Sequence, residues 1–200
     1  MGAVPTGFLA GKVLRGLDVR TVGSGSSGAT NVLRVFGARA GVAVFLIDLA
    51  KGAAAASLGL LLLGSPVAAV AAALSAVVGH NWPVYLRFRG GRGVTPFFGG
   101  LAVVSFPVSL IVALIGGMVA FAIIGLSRYV SLGSMMGTAT TAALMALLFT
   151  RRIVPVELFV YATLGGLLII LQHRGNICRL ISGREPKLGR RGNAPPPEIG

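Results

Sequence analysis

An all-α integral membrane protein, folded as a compact bundle of transmembrane helices, follows from three features of this sequence. Its apolar share is too high for a water-facing surface, its charges are confined to the connections between apolar runs, and those runs have helical lengths. Of the 200 residues 54% are hydrophobic and 12% charged, at a mean hydropathy of +0.86, whereas a soluble domain carries about 25% charge. A net charge of +13 raises the question of nucleic acid. The cations lie in short loops and in the C-terminal tail, as membrane proteins place them, which argues against that partner.

Apolar segments run over residues 1–14, 41–63, 66–79, 94–106, 107–126, 132–149 and 153–171. They predict about seven transmembrane helices, some short, or five if some are re-entrant, since a span needs about 20 apolar residues. The first segment has no basic residue before it and Lys12 and Arg15 after it, so it reads as a retained helix with its N-terminus outside rather than as a signal peptide. It is short for a span, and an abbreviated start is expected. An odd count then puts the C-terminus in the cytoplasm. Of the 18 Lys and Arg residues all but Arg151 and Arg152 fall inside, in accord with the positive-inside rule. The outer connections, near Gly64 and at Phe106-Pro107, are too short to carry chemistry, so the chemistry belongs to the inner face.

Ala53 to Ala56, Ala68 to Ala73 and Gly116-Gly117 are the small residues that let helices approach closely in lipid. Residues 1–187 are expected to form a single transmembrane domain. Residues 188–200, with Arg190, Arg191 and three consecutive prolines from Pro195, have the composition of a disordered basic, Pro-rich tail. Cys178, the only cysteine, excludes an internal disulfide and a Cys-based metal cluster. No metal site or cofactor is expected.

The first inner loop, Gly23-Ser-Gly-Ser-Ser-Gly-Ala-Thr-Asn-Val-Leu-Arg34, joins glycines that let backbone N–H groups crowd an anion, hydroxyl donors, and an Arg fork that matches phosphate. Gly23, Gly25 and Gly28 also spell the dinucleotide fingerprint, with Asp48 about 20 residues further on. Asp48 however lies in an Ala/Leu-rich helical run, not at the end of a strand, so the context is wrong. Asp48 and Lys51 stand three apart on one helix face and read first as a structural ion pair, because unpaired charge in lipid is costly.

The second inner loop runs from Gly79-His80-Asn81-Trp82 to Phe88-Arg89-Gly90-Gly91-Arg92-Gly93. Trp82, Tyr85 and Phe88 suit an interfacial aromatic belt. Gly90, Gly91, Arg92 and Gly93 gather backbone donors and a cation just before a helix start, the usual place for an anion. The third segment, His173-Arg174-Gly175-Asn176 through Glu185 and Lys187, follows the last span. Its cations suit anionic lipid, while His173 and Asn176 face the same way on a helical turn.

Taken in order, these stretches resemble the bacterial acyl-phosphate:glycerol-3-phosphate acyltransferases of the PlsY type. The resemblance covers nearly the whole chain and rests on residues 23–34, on Asp48 with Lys51-Gly52, on residues 79–94, and on His173-Arg174, Asn176-Ile177, Arg179-Leu180, Gly183, Glu185 and Lys187. It implies transfer of a fatty acyl group from acyl phosphate to glycerol 3-phosphate at the bacterial inner membrane, on its cytoplasmic side. It implies catalytic positions at Ser24, Ser26, Arg34, His173 and Asn176. Substrate contacts are expected from Gly25, Gly28, Asn31, His80, Asn81, Gly90, Gly91, Arg92 and Gly93, and structural roles for Asp48, Lys51 and Glu185. Three departures stand out: Arg92 replaces a customary Lys, which keeps the charge but changes donor geometry; Gly175 replaces a polar residue; and the first helix lacks its usual upstream half. The partners implied are the two substrates and membrane lipid, with a monomer sufficient.

The residues favour the same chemistry. Acyl phosphate is already activated, so donors and cations that orient two anions and stabilise developing charge suffice. Neither His80 nor His173 has an Asp five residues on, unlike acyltransferases that use a His-Asp pair as base. The rival reading is a small transporter or channel for an anionic metabolite. Transporters carry paired repeats with broken helices at the midplane, and no such repeat is present here.

Overall fold

The computed structural model describes residues 1–189, and every regular element among them is helical. In chain order these are α1 (Thr6–Arg15), α2 (Ala29–Phe36), α3 (Ala38–Leu63), α4 (Pro66–Asn81), α5 (Val94–Val104), α6 (Val108–Ser127), α7 (Val130–Thr150), α8 (Val156–Gln172) and α9 (Arg174–Ile181), with single 3-10 turns at Val19–Thr21 and Val84–Leu86. Each apolar run has become a helix. Pro66 opens α4 at its first turn, where its missing N–H leaves no bond unmade.

By length and apolarity the helices match the lower expected count, five spans, rather than seven. α3, α4, α6 and α7 are long and apolar enough to cross a membrane, and α8 with α9, meeting at a 58° bend, makes a fifth candidate. α1 and α5 have 10 and 11 residues, about 15–17 Å of helix, against a hydrocarbon core of about 30 Å. Just before α1, Gly2 and Ala3 press on Ala76 and Gly79 in the last turns of α4. At the other end, Leu188, assigned to the tail by sequence, donates its N–H to the Arg128 carbonyl and accepts from the Arg128 Nε, so it belongs to the folded body. Residues 190–200, the rest of that tail, lie outside the described residues.

α3 packs on α4 and α5, α6 on α7, and α8 on α4 and α7. The core between them is built from Ala56, Ala69, Ala73, Phe97, Leu101, Met145, Leu158, Tyr161 and Ile169. Tyr161 stacks on Phe97 with ring centroids 5.2 Å apart and donates its hydroxyl proton to the Phe97 carbonyl at 2.8 Å, which pairs a buried polar group and fixes α5 against α8. Neighbouring helices run in alternating directions. The starts of α3, α5 and α7 and the ends of α4, α6 and α8 therefore share one end of the bundle, and Arg151 and Arg152 sit at the other.

The half-length α5 explains where the site can be. It is embedded, with Pro96, Phe97, Gly99, Gly100, Leu101 and Val104 buried, and its first turn meets α3 at Gly52, where a Cβ would collide with the Pro96 carbonyl. Gly52 lies more than three turns into α3. The loop before α5 is therefore recessed below the start of α3.

The same closeness recurs at Gly99, whose Cβ would collide with the Leu49 carbonyl, whereas Gly117 has nothing within 4 Å. Gly99→Val is expected to destabilise the protein by ~1–3 kcal/mol or more through overpacking, and Gly117→Ala to leave it unchanged. Melting temperature and monodispersity in detergent check both.

Candidate active site

Three chain segments meet at the recessed end. The first is the loop that leads into α2. Asn31 is 1% exposed and its amide N–H groups reach the carbonyls of Val19 at 2.8 Å, Val22 at 3.0 Å and Ser26 at 2.9 Å, while its Oδ1 accepts the Ser24 N–H at 2.8 Å. Asn31 thus holds the loop in shape from inside. With its donors already spoken for, it is corrected from a substrate contact to the loop's internal brace. Gly23, at φ 63, passes so close to the Asn31 Oδ1 that a Cβ would collide with it. Gly25 and Ser26 reach the wall of the cavity described below, but Ser24 does not. The Gly28 N–H is taken by the Ser26 Oγ at 3.2 Å.

The second segment is the glycine loop between α4 and α5. Its backbone does not form the expected cradle at Gly90 and Gly91: those N–H groups donate to the carbonyls of Asn81 at 3.1 Å and His80 at 2.9 Å, closing off the end of α4. Both glycines are still required, because a Cβ at Gly91 would collide with the His80 Nε2 and one at Gly90 with the His80 carbonyl. Among the described residues no backbone acceptor pairs with the N–H of Arg92 or Gly93, so the free donors begin two residues later than expected, at the start of α5.

His80 is buried between that loop and α3. Its Nδ1 lies 3.7 Å from the Asp48 Oδ1, and the same oxygen pairs with the Lys51 Nζ at 2.7 Å. Lys51 also donates to the Val4 carbonyl at 3.1 Å, so the ion pair is internal and ties the N-terminal residues to α3. This geometry makes His80 a spacer that sets the height of the glycine loop. Asn81 differs from it. It is 1% exposed, both polar atoms of its side chain are buried without a partner, and the residue lines a cavity of about 270 Å³ together with Gly25, Ser26, Gly91, Arg92 and Arg174. A buried, unpaired amide costs about 1–3 kcal/mol.

The third segment turns at His173, between α8 and α9. Its Nδ1 lies 2.8 Å from the Ile169 carbonyl, so this nitrogen carries the proton and, in the neutral ring, Nε2 is an acceptor. Asn176 donates to the Glu185 Oε1 at 2.6 Å, as does the Ser131 hydroxyl at 2.6 Å, and Arg179 donates through Nε to Oε2 at 2.8 Å. Asn176 therefore reaches the site through Glu185. Arg179 pairs with this carboxylate directly, and Arg34 and Arg92 feel its charge. Burial and the like charges of Arg179 and Arg34 lower the pKa of Arg92 to about 10, with Glu185 opposing; burial, then Arg179, lower that of Arg34. The Nε of Arg34 is buried without an acceptor. Arg34 and Arg92 thus share Glu185 as a counter-charge, and the Arg92 charge is felt at His173, which gathers three separate segments at a site with surplus positive charge; of these three side chains only Arg92 lines the cavity.

The sequence assigns no site role to Ser131, Arg174 or Arg179. Ser131 is one of several hydroxyls at the start of α7 with nothing to mark it, and the two arginines lay in a basic cluster that lipid headgroups could account for. No group of three or more His, Cys, Asp or Glu side chains that could hold a metal ion occurs among the described residues.

Burial works against the Glu185 carboxylate, but its hydrogen bonds from Ser131, Asn176 and Arg179 and the Arg179 charge hold its pKa below the ordinary 4.5. A carboxyl whose folded pKa is depressed adds stability above about pH 4.5 and loses it as pH falls through the lower folded value. Glu185→Gln is expected to reduce stability at pH 7 by ~1–3 kcal/mol, with the gap to the native protein closing below pH 4.5. Thermal unfolding followed across pH 3 to 7 checks this.

The comparisons agree on one assignment. The family model for glycerol-3-phosphate acyltransferase matches residues 1–183. A glycerol-3-phosphate acyltransferase of Gloeobacter violaceus is 43% identical over 192 residues, 94% of this chain and 90% of that protein, and glycerol-3-phosphate acyltransferase 3 of Dehalococcoides mccartyi is 41% identical over 203 residues, 96% and 92% of the two chains. Among solved structures, PlsY, an integral membrane glycerol 3-phosphate acyltransferase, superposes in its glycerol 3-phosphate form with a TM-score of 0.83 at 38% identity, covering 94% of this chain and 90% of that one. Its lysophosphatidic acid form gives 0.80. An all-helical membrane bundle with a cationic, donor-rich recess, matched along nearly its whole length in sequence and in fold, belongs to the glycerol-3-phosphate acyltransferase family.

Proposed function

We propose that this protein transfers a fatty acyl group from acyl phosphate to glycerol 3-phosphate, giving lysophosphatidic acid and inorganic phosphate, at the cytoplasmic face of the bacterial inner membrane. The carrying observation is the gathering of Arg34, Arg92 and His173 from three segments around one carboxylate, Glu185, with Arg92 lining a cavity that Asn81, whose amide is buried without a partner, also lines. Sidedness rests on the positive-inside rule, with the site at the end of the bundle opposite Arg151 and Arg152.

Two phosphorylated substrates need two sets of donors. Arg34, with its unpaired Nε, and the hydroxyl loop at Ser24 and Ser26 receive the acyl phosphate. Arg92, the free N–H groups at the start of α5 and Asn81 receive the glycerol phosphate, where a helix start suits an anion. The substrate hydroxyl attacks the acyl carbon, the bond from that carbon to the phosphate oxygen breaks, and the proton of the hydroxyl ends on the departing phosphate. His173 Nε2 accepts a hydrogen bond from the attacking hydroxyl and aims it. Charge growing on the carbonyl and phosphate oxygens meets cations already in place, which removes the need for reorganisation during the reaction. The acyl chain stays among the helices, in the bilayer.

Transfer of label from synthetic acyl phosphate to glycerol 3-phosphate by the purified protein in detergent tests this reading. Activity there, without a sealed compartment, excludes the transporter alternative, and equal use of acyl-CoA would contradict the donor assignment. Arg92→Ala is expected to raise KM for glycerol 3-phosphate by roughly 10- to 100-fold, the loss of a charge-assisted hydrogen bond of ~1.5–3 kcal/mol. His173→Ala should lower kcat with little change in KM; near-normal kcat would remove His173 from the reaction.

A further inference from the structure

We infer that the C-terminal segment from Glu185 to Leu188 is a strap that positions Arg34, and that the turn between α6 and α7 anchors it. The segment lies beyond residues 1–183, which the family model matches. The Pro186 carbonyl accepts a bond from the Arg34 Nη2 at 3.2 Å, across 152 positions of sequence. Two residues on, the Leu188 N–H donates to the Arg128 carbonyl at 2.7 Å, and the Leu188 carbonyl accepts from the Arg128 Nε at 3.0 Å. Lys187 completes the attachment, its ammonium 5.3 Å from the centre of the Tyr129 ring. At the near end, Glu185 is held by Ser131, Asn176 and Arg179. The strap is thus tied at both ends, and the carbonyl that touches Arg34 is in its middle.

Arg128 is an unusual anchor. It adopts φ 63, a left-handed conformation uncommon for residues other than glycine, and both its backbone carbonyl and its side chain are committed to Leu188. A tie of this kind has a purpose at Arg34. That guanidinium is half-buried among like charges, Arg179 and Arg92, and would swing toward water if nothing fixed it. The Pro186 carbonyl takes one of its donors, and its Nε stays buried without a partner. None of Arg34, Pro186, Leu188 and Arg128 lines the cavity; the strap touches Arg34 through the Pro186 carbonyl, so its residues act as positioning residues.

The inference rests on the functional reading above, and its test can fail separately. Full-length Leu188→Pro, which deletes the N–H that reaches Arg128, and Arg128→Gln are each expected to raise KM for acyl phosphate by roughly five- to tenfold, with kcat changed less than about twofold. Leu188→Ala, which keeps both backbone bonds, should behave as the native protein. In an Arg34→Ala background, Leu188→Pro should add no further effect, since coupled residues are not additive. Unchanged KM in both strap variants, or equal damage from Leu188→Ala and Leu188→Pro, overturns the strap. So does an undiminished effect of Leu188→Pro once Arg34 is gone. If the native protein transfers no acyl group, the functional reading fails instead.

Discussion

Everything at the active end depends on one buried carboxylate. Glu185 accepts hydrogen bonds from α7 through Ser131, from α9 through Asn176 and Arg179, and it is the negative charge nearest to Arg34 and Arg92. A cluster of three guanidiniums at the edge of an apolar bundle would push itself apart without such a centre, because like charges in a low-dielectric setting repel over several ångströms. One carboxylate against three cations is enough to assemble the cluster and too little to neutralise it. The remainder is what an anionic ligand would find.

Around that centre the fold divides its labour between groups that shape the recess and groups left open in it. Asn31 and His80 belong to the first kind, with Asp48 and Lys51 holding His80 from below. Asn81, Arg34 Nε and the N–H groups after Gly91 belong to the second. The division follows from satisfaction: a buried polar group with all its partners inside the protein stabilises a conformation, and one without them is a site waiting to be filled.

Much of this was legible in the sequence. The apolar runs gave every long helix, and the three loops that carry the chemistry were identified before their meeting could be seen. The choice between five and seven spans was not legible, because hydropathy does not distinguish a helix buried in protein from one bathed in lipid, and α5 packs largely inside the protein. The roles of Asn31, Gly90 and Gly91 were misplaced for a related reason. Residue type announces hydrogen-bonding capacity, but only the folded chain reveals whether that capacity is used internally. Asn31 and Asn81 look alike in sequence, and one is fully engaged while the other is empty-handed. Glu185 was readable as structural, but its partner Ser131 stands 54 residues away, a pairing no local pattern encodes.

The clamp of Gly90 and Gly91 on the end of α4 has an electrostatic consequence. Aligned peptide groups give each helix a macrodipole, with about half a negative charge at its C-terminus and half a positive charge at its N-terminus. α4 ends and α5 begins beside the same recess, and two bare helix termini would largely cancel there. By covering the α4 carbonyls with its own amides, the loop mutes the negative pole and leaves the positive one exposed. The backbone alone then contributes a field that favours anions, independent of any side-chain charge.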